Sequence, residues 1–279
     1  IGIFIIFKHY KYKSFFHMFS GVLKKMVSEY GNEIIYYLNF ENEFMVMNQF
    51  LDKKIKLIFN GYECLNCKSD EIIFRQGYCK KCFYDLPITG DWIMKPELSK
   101  AHLNIEDRNL EYEKKVQIQP HIIYLAFSSH LKVGVTRKSQ LTTRWVDQGA
   151  HQAISLAEAP NRFLAGICEV ELKSYYSDKT NWRKMLENNF ETIDLKKEKD
   201  MAVQKIPEKI FSKLIPKTDD PLTINFPVLK IPEKVKSLNI VKENNFEGIL
   251  KGIKGQYLIF EDNSVFNIRS NEGLQITIK

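Results

Sequence analysis

A chain of 279 residues, 44% apolar and 13% aromatic, can bury a well-packed core in one to three domains. With 41 Lys and Arg against 34 Asp and Glu its net charge is +7, which tolerates polyanions without proving that they bind, because lysine alternates with glutamate in LKKEKD and IPEKVKS, the pattern of solvated faces. The first apolar run, Ile1–Phe7, is far too short to span a bilayer and is followed, not preceded, by basic residues, so it excludes a membrane span or secretory signal there and leaves cytoplasm as the expected compartment.

In chain order, residues 1–17 are expected to be a non-native or disordered extension, the more ordinary start being Met18. Residues 18–63 alternate apolar and polar in short runs (EIIYYLNF, EFMVMN, KIKLIFNGY). That predicts a β-rich unit with turns at Gly31–Asn32, Glu41–Asn42 and Asp52–Lys53. Residues 64–86 carry ECLNCKSDEIIFRQGYCKKC. Each CxxC puts two thiolates on one tight turn, and eleven residues separate Cys67 from Cys79, a gap that fits a hairpin bending near Gly77. Cys64, Cys67, Cys79 and Cys82 are therefore expected to hold a structural zinc ion, four sulfurs at about 2.3 Å leaving no open position for catalysis. Lys68, Lys80 and Lys81 offset the thiolate charge. The same spacing leaves a redox dithiol pair, or a decayed site with reduced cysteines, as the alternatives.

Residues 87–120 are polar, carry Pro87, Gly90, Pro96 and Pro120, and read as a connector. One helical piece is expected in SKAHLNIEDRNLEYEKKV, with Ser99 as its cap. Over 121–195, HIIYLAF and LKVGV are two strands around a Ser128–His130 turn. TRKSQLTTRW starts a helix, AISLAEAP is a third strand stopped by Pro160, and Asn161 caps a helix in NRFLAGICEVELKSYY. The tail CEVELK also alternates like a strand, so both readings stand. Thr180 is expected to cap a helix in TNWRKMLENNF, and Cys168 to be a small buried apolar residue. Residues 196–235 read as a linker or wrapping segment. Strands resume over 236–279 in FEGILKGI, GQYLIFED, SVFNIRS and LQITIK, a small β unit. The fold class is α+β: a zinc ribbon, a small mixed α/β core, and β-rich terminal units.

The block HIIYLAFSSHLKVGVTRKSQLTTRWVDQGA, residues 121–150, resembles the core of the GIY-YIG nuclease superfamily, which has two short strands, a helix with an arginine and a later helix with a glutamate. Tyr124 stands where that core has its first tyrosine, Gly134 with Thr136 at the second motif, Arg144 at the arginine, Glu169 at the glutamate and Asn181 at a later asparagine. Lys132 replaces the second-motif tyrosine, Ile122 or Ile123 the first glycine, and Gln148 a histidine or tyrosine. The resemblance covers about a quarter of the chain. It implies a metal-dependent phosphodiesterase. Glu169 would hold Mg2+ or Mn2+ largely through waters, Arg144 would clamp phosphate, Tyr124 would orient or deprotonate the attacking water, and Lys132 would add charge. Gly134, Thr136, Arg137, Lys138, Trp145 and Gln148 would line the nucleic-acid path, Gly134 letting the backbone approach phosphate. His151 is a spare candidate.

The phrases KVGVTR, TRWVDQGA, DKTNWRKML and GIKGQYLIF, with WIMKPELSKAH upstream, are similar to the bacterial domain of unknown function 2797 family, a likeness that implies no activity. DNA or RNA is the expected partner. A binding-only nucleic-acid module and a protein-interaction scaffold are the alternatives, because each residue has a plainer role. Tyr124 also reads as a core aromatic, Gly134 as a bulge, Arg144–Trp145 as a stacking pair and Glu169 as part of a solvated face.

Overall fold

The computed structural model describes residues 18–177, 180–188 and 193–279; the expectation for residues 1–17 and the end of TNWRKMLENNF lie outside the described residues. The N-terminal segment forms β1 (Phe19–Val22), β2 (Val27–Glu29), β3 (Ile35–Asn39), β4 (Phe44–Val46) and β5 (Lys54–Tyr62). The second cysteine pair opens α1 (Lys80–Asp85), with Cys79 at its N-cap and Cys82 inside it, and α2 (Leu110–Gln117) follows. The central block forms β6 (His121–Phe127), β7 (Leu131–Arg137), α3 (Leu141–Asp147), β8 (Gln152–Ala159), α4 (Arg162–Leu172) and α5 (Trp182–Leu186). Then follow α6 (Leu195–Gln204), α7 (Glu208–Phe211), β9 (Ile215–Pro216), β10 (Leu222–Thr223), β11 (Lys236–Ser237) and α8 (Ile240–Glu243). The last strands are β12 (Asn245–Lys254), β13 (Tyr257–Phe260), β14 (Ser264–Asn267) and β15 (Leu274–Ile278).

Segments 18–63 and 236–279, expected as two units, share one seven-stranded sheet ordered β1-β15-β5-β12-β13-β14-β11. β15 inserts between β1 and β5. β12 changes partner along its length: residues 245–249 pair with β5, and its later residues pair with β13 around a bulge at Leu250–Gly252. A bulge bends its strand and increases local twist, which lets one long strand serve two neighbours. β2, β3 and β4 form a separate three-stranded antiparallel sheet.

The central sheet runs β10-β8-β6-β7, with β9 also on β8. β6 is buried at every residue, and after His121 its run IIYLAF suits a strand covered on both faces. Ile122, Tyr124 and Ala126 enter a core shared with the seven-stranded sheet and with Trp145 and Val146 of α3. Ile123 and Leu125 pack on the other face against Ala165, Cys168 and Leu172 of α4 and Leu195 and Ala202 of α6. Cys168 is fully buried, and burial pushes its thiol up to about 12. The stretch expected as a linker or wrapping segment thus supplies most of a core helix and two sheet strands.

Two expected caps move. The helix expected from Ser99 begins only after Asn109, whose side chain accepts the Tyr112 N–H at 2.8 Å; Asn104, left-handed at φ 58°, ends the short 3-10 turn before it. α5 is capped by Asn181, which accepts the Lys184 N–H at 3.2 Å, and not by Thr180. Asn161 does cap α4, accepting the Leu164 N–H at 2.9 Å, and CEVEL is helix. Among the described residues no helix is long and apolar enough to cross a membrane.

Candidate functional site

The cysteine segment folds on turns. Cys64 N–H donates to Ser69 O at 2.8 Å, Tyr78 N–H to Arg75 O at 2.9 Å, and Leu65 N–H to Gly77 O at 2.8 Å, which ties the two turns together. The four sulfurs lie within 4.8 Å of one another. Cys67 and Cys79 Sγ are 3.8 Å apart, about the edge of a tetrahedron whose centre is 2.3 Å from each sulfur. Cys79 N–H and Asn66 Nδ2 donate to the sulfurs of Cys64 and Cys82, each at 3.3 Å. Hydrogen bonds from the Ser69 side chain and amide pull the Cys67 thiol down to about 6. At Cys82 the Asn66 hydrogen bond lowers the thiol, but burial and the three neighbouring sulfurs outweigh it and push it up to about 12. Thiols this close cannot all ionise alone, because each thiolate penalises the next. A divalent cation removes that penalty, so the donor set fits a metal such as zinc.

The second cluster is built on β6. Tyr124 is 1% exposed and directly opposite Gly134 of β7. A Cβ at Gly134 would sit 2.5 Å from the Tyr124 hydroxyl oxygen. The glycine of LKVGV lies within a strand, and its physical reason is the tyrosine across from it. Gly134→Ala is therefore expected to destabilise the fold by about 1–3 kcal/mol through overpacking. Tyr124→Phe, which removes the nearest atom, is expected to recover part of that loss. Urea unfolding of the two single variants and the double variant checks it; additive losses would sink the contact.

Gln148 Nε2 donates to Tyr124 Oη at 2.8 Å, and the Trp145 ring meets Tyr124 edge-on at 5.9 Å. Burial raises the Tyr124 hydroxyl above its ordinary value, the Arg144 charge opposes this, and the Glu169 charge adds to it. Glu169 is 8% exposed. Its carboxyl is raised by burial, drawn back by Lys173 (3.7 Å) and by Arg162 and Arg144, and pushed up again by Glu97. Tyr124, Arg144 and Glu169, from a strand and two helices, thus lie in one electrostatic neighbourhood.

Arg162 and Glu97 belong to this neighbourhood and are absent from the sequence expectations. Arg162 Nε and Nη2 donate to the carbonyls of Trp92 at 3.0 Å and Ile93 at 2.7 Å, which fastens the connector to the start of α4. Burial lowers its guanidinium to about 10, with the Glu169 charge opposing. A Cβ at Gly166 would meet Glu97 N at 2.3 Å. The 3-10 turn Pro96–Leu98 therefore lies directly on α4, one turn before Glu169, and brings Glu97 to it. Glu97 Oε2 is buried without a hydrogen-bond partner among the described residues. The available signal was Gly166 itself, since a glycine inside a helix pattern marks close backbone approach.

The remaining expected residues divide. Lys132 and Thr136 are buried in β7 opposite Ala126 and Ile122, on the face that carries Tyr124. Arg137 donates from Nε to Gln140 Oε1 at 3.1 Å, and its charge reaches Arg162. Lys138 pairs with Glu158 at 2.9 Å, which also holds Lys217 at 2.8 Å. Trp145 and Gln148 turn inward onto Tyr124. His151 lies with Lys254, its Nε2 2.9 Å from that Nζ, and Asn181 serves as a helix cap.

The family described as Protein of unknown function (DUF2797) matches residues 52–276, and the chain belongs to that family. No curated protein and no solved structure matched it.

Proposed function

We propose that this chain acts on nucleic-acid phosphodiesters through a metal-dependent hydrolytic site of Tyr124, Arg144 and Glu169 on a GIY-YIG-like core, with zinc in the four-cysteine knuckle. One observation carries the reading. The charges of Arg144 on α3 and Glu169 on α4, helices packed on opposite faces of the central sheet, both act on the buried Tyr124 hydroxyl, in opposite senses. Glu169 is a buried carboxyl beside a half-buried Arg144, and ionisable groups perturbed in this way cluster at functional sites.

Glu169 and Glu97 suit Mg2+ or Mn2+: both offer hard oxygens, and Glu97 Oε2 is buried and unpartnered. Such an ion would supply positive charge at the leaving oxygen. Arg144 offers a planar fork to the non-bridging phosphate oxygens. Burial keeps Tyr124 protonated and Gln148 occupies an acceptor site on its oxygen, so the hydroxyl positions the attacking water as a donor and does not deprotonate it. Arg162, anchored by two carbonyls, helps keep Glu169 ionised.

Labelled DNA and RNA incubated with Mg2+ or Mn2+ test this. Cleavage is expected, and Glu169→Gln and Arg144→Ala are each expected to reduce it by about a hundredfold or more, with urea unfolding midpoints near wild type. A second reading, a module that binds nucleic acid without cutting it, is favoured by the enclosure of Tyr124 between Gly134 and Gln148 and by Lys132 in the place of a tyrosine. It predicts salt-dependent binding and no cleavage. Loss of both leaves the protein-interaction scaffold.

A further inference from the structure

The knuckle carries more aromatic surface than its metal needs. Phe74, Phe83 and Tyr84 touch one another, with ring centroids 5.3, 5.5 and 5.8 Å apart. The apolar residues packed around the cysteines are Ile73, Tyr78 and Leu86, so these three rings do not serve that cluster. Phe74 stays 38% and Tyr84 55% exposed. Large rings left in water forfeit the burial that a core position would give, and a contiguous set of them marks a contact surface.

Cations accompany the rings. The Arg75 guanidinium lies 5.2 Å from the centroid of Phe74. Lys80 and Lys81, both exposed, open the helix that presents Phe83 and Tyr84. Beside Phe74 a groove of about 460 Å³ runs between residues 72–76 and the segments 237–242 and 267–274, with polar groups from Gln76, Lys242 and Ser270. Ile72, Ile73, Leu238, Val241 and Leu274 line the same groove, so it is the flanking cations, not the groove, that favour a polyanion. Rings flanked by cations, next to amides and hydroxyls, suit bases that stack while their phosphates are neutralised. Bases within a duplex stack on each other, so only an unpaired strand offers them to a protein ring.

We infer that Phe74, Phe83 and Tyr84 form a stacking surface for unpaired nucleotides of DNA or RNA, with Arg75, Lys80 and Lys81 on the phosphates. The inference deepens the nucleic-acid reading and rests on it, but it uses no residue of the Tyr124 cluster.

Fluorescence anisotropy of the metal-loaded full chain tests it, with labelled oligothymidylate, oligouridylate and a duplex as probes. Binding of either single strand is expected, and Phe74→Ala with Tyr84→Ala is expected to weaken it by about tenfold or more, with metal content and duplex affinity unchanged. Tyr84→Ala alone, at the more exposed ring, is expected to show a smaller loss in the same direction if the double variant loses its metal. Unchanged single-strand affinity, or an equal loss for the duplex, overturns the stacking surface. If Arg144→Ala weakens binding and the ring variants do not, the nucleic-acid reading stands and this surface falls. If no probe binds, both fall.

Discussion

One zinc ion per chain is expected by elemental analysis, and Cys64→Ser is expected to lose it together with the fold of residues 64–86. The cysteines themselves are the buried centre of the segment, with Ile73, Tyr78 and Leu86 packed around them, while Arg108 fastens its end through the carbonyls of Phe83 and Leu86. Zinc binding in small four-ligand sites contributes about 10–16 kcal/mol at neutral pH, more than the turn hydrogen bonds here supply. The rest of the chain is expected to stay folded, because the two large cores contain no residue of the cysteine segment. Thiol titration separates the cases. The metal-loaded chain should react slowly, the chelated chain should expose Cys64, Cys67, Cys79 and Cys82, and Cys168 should react only on full denaturation, since it lies wholly inside the α4 core. A redox dithiol pair would instead form a reversible disulfide and keep its fold without metal. That result would end the zinc account.

Local pattern was enough where one element decides the outcome. The two CxxC turns, the apolar β6 and the Asn161 cap depend on neighbours a few residues away, and each was legible. Two kinds of information were not. The first was pairing between distant segments: nothing in KIKLIFNGY or LQITIK says that β5 lies between β15 and β12. The second was the cause behind a residue type. Gly134 reads as a place where backbone meets phosphate, yet what requires a glycine is the hydroxyl end of the Tyr124 ring. The same limit hid Glu97 and Arg162, which reach Glu169 only because the connector is pressed onto Gly166. A proline-marked polar stretch gives no sign of the helix it covers. Ser99 and Thr180 failed as caps for a related reason: an asparagine nearer the first helical turn took the position in each case.

Stability is expected to rise with pH between about 7 and 8.5, above which the buried Cys168 thiol, held up to about 12, offsets the rise, and Lys254→Met is expected to abolish the slope below about 8.5. Lys254 is 2% exposed. Its Nζ lies 2.9 Å from His151 Nε2 and donates to Met185 O at 2.7 Å and Asn188 Oδ1 at 2.6 Å, which joins β12 to the turn before β8 and to the end of α5. Burial lowers its ammonium to about 7, whereas an unfolded lysine keeps its proton to about 10.4. Between those values the unfolded chain binds more protons, so the contribution is complete above about 10, declines as pH falls, and is gone near 7. His151 acts in a lower window. Burial first, and then the Lys254 charge, hold it at about 3, against about 6.5 unfolded, so its contribution is lost as pH falls from about 6.5 towards 3. Methionine at 254 has similar bulk and no charge. It should flatten the upper limb and also shorten the acid limb from its lower end, since His151 would lose a cationic neighbour and its folded value would rise towards the unfolded one. It leaves Met185 O and Asn188 Oδ1 without their donor, at about 1–3 kcal/mol each, so the variant should be weakest relative to wild type near pH 10 and closest to it near pH 7. Urea midpoints of both proteins across pH 4 to 10 give the comparison. A flat wild-type profile between about pH 7 and 8.5, or the same slope there in Lys254→Met, would show that the buried lysine keeps its ordinary proton affinity through these contacts.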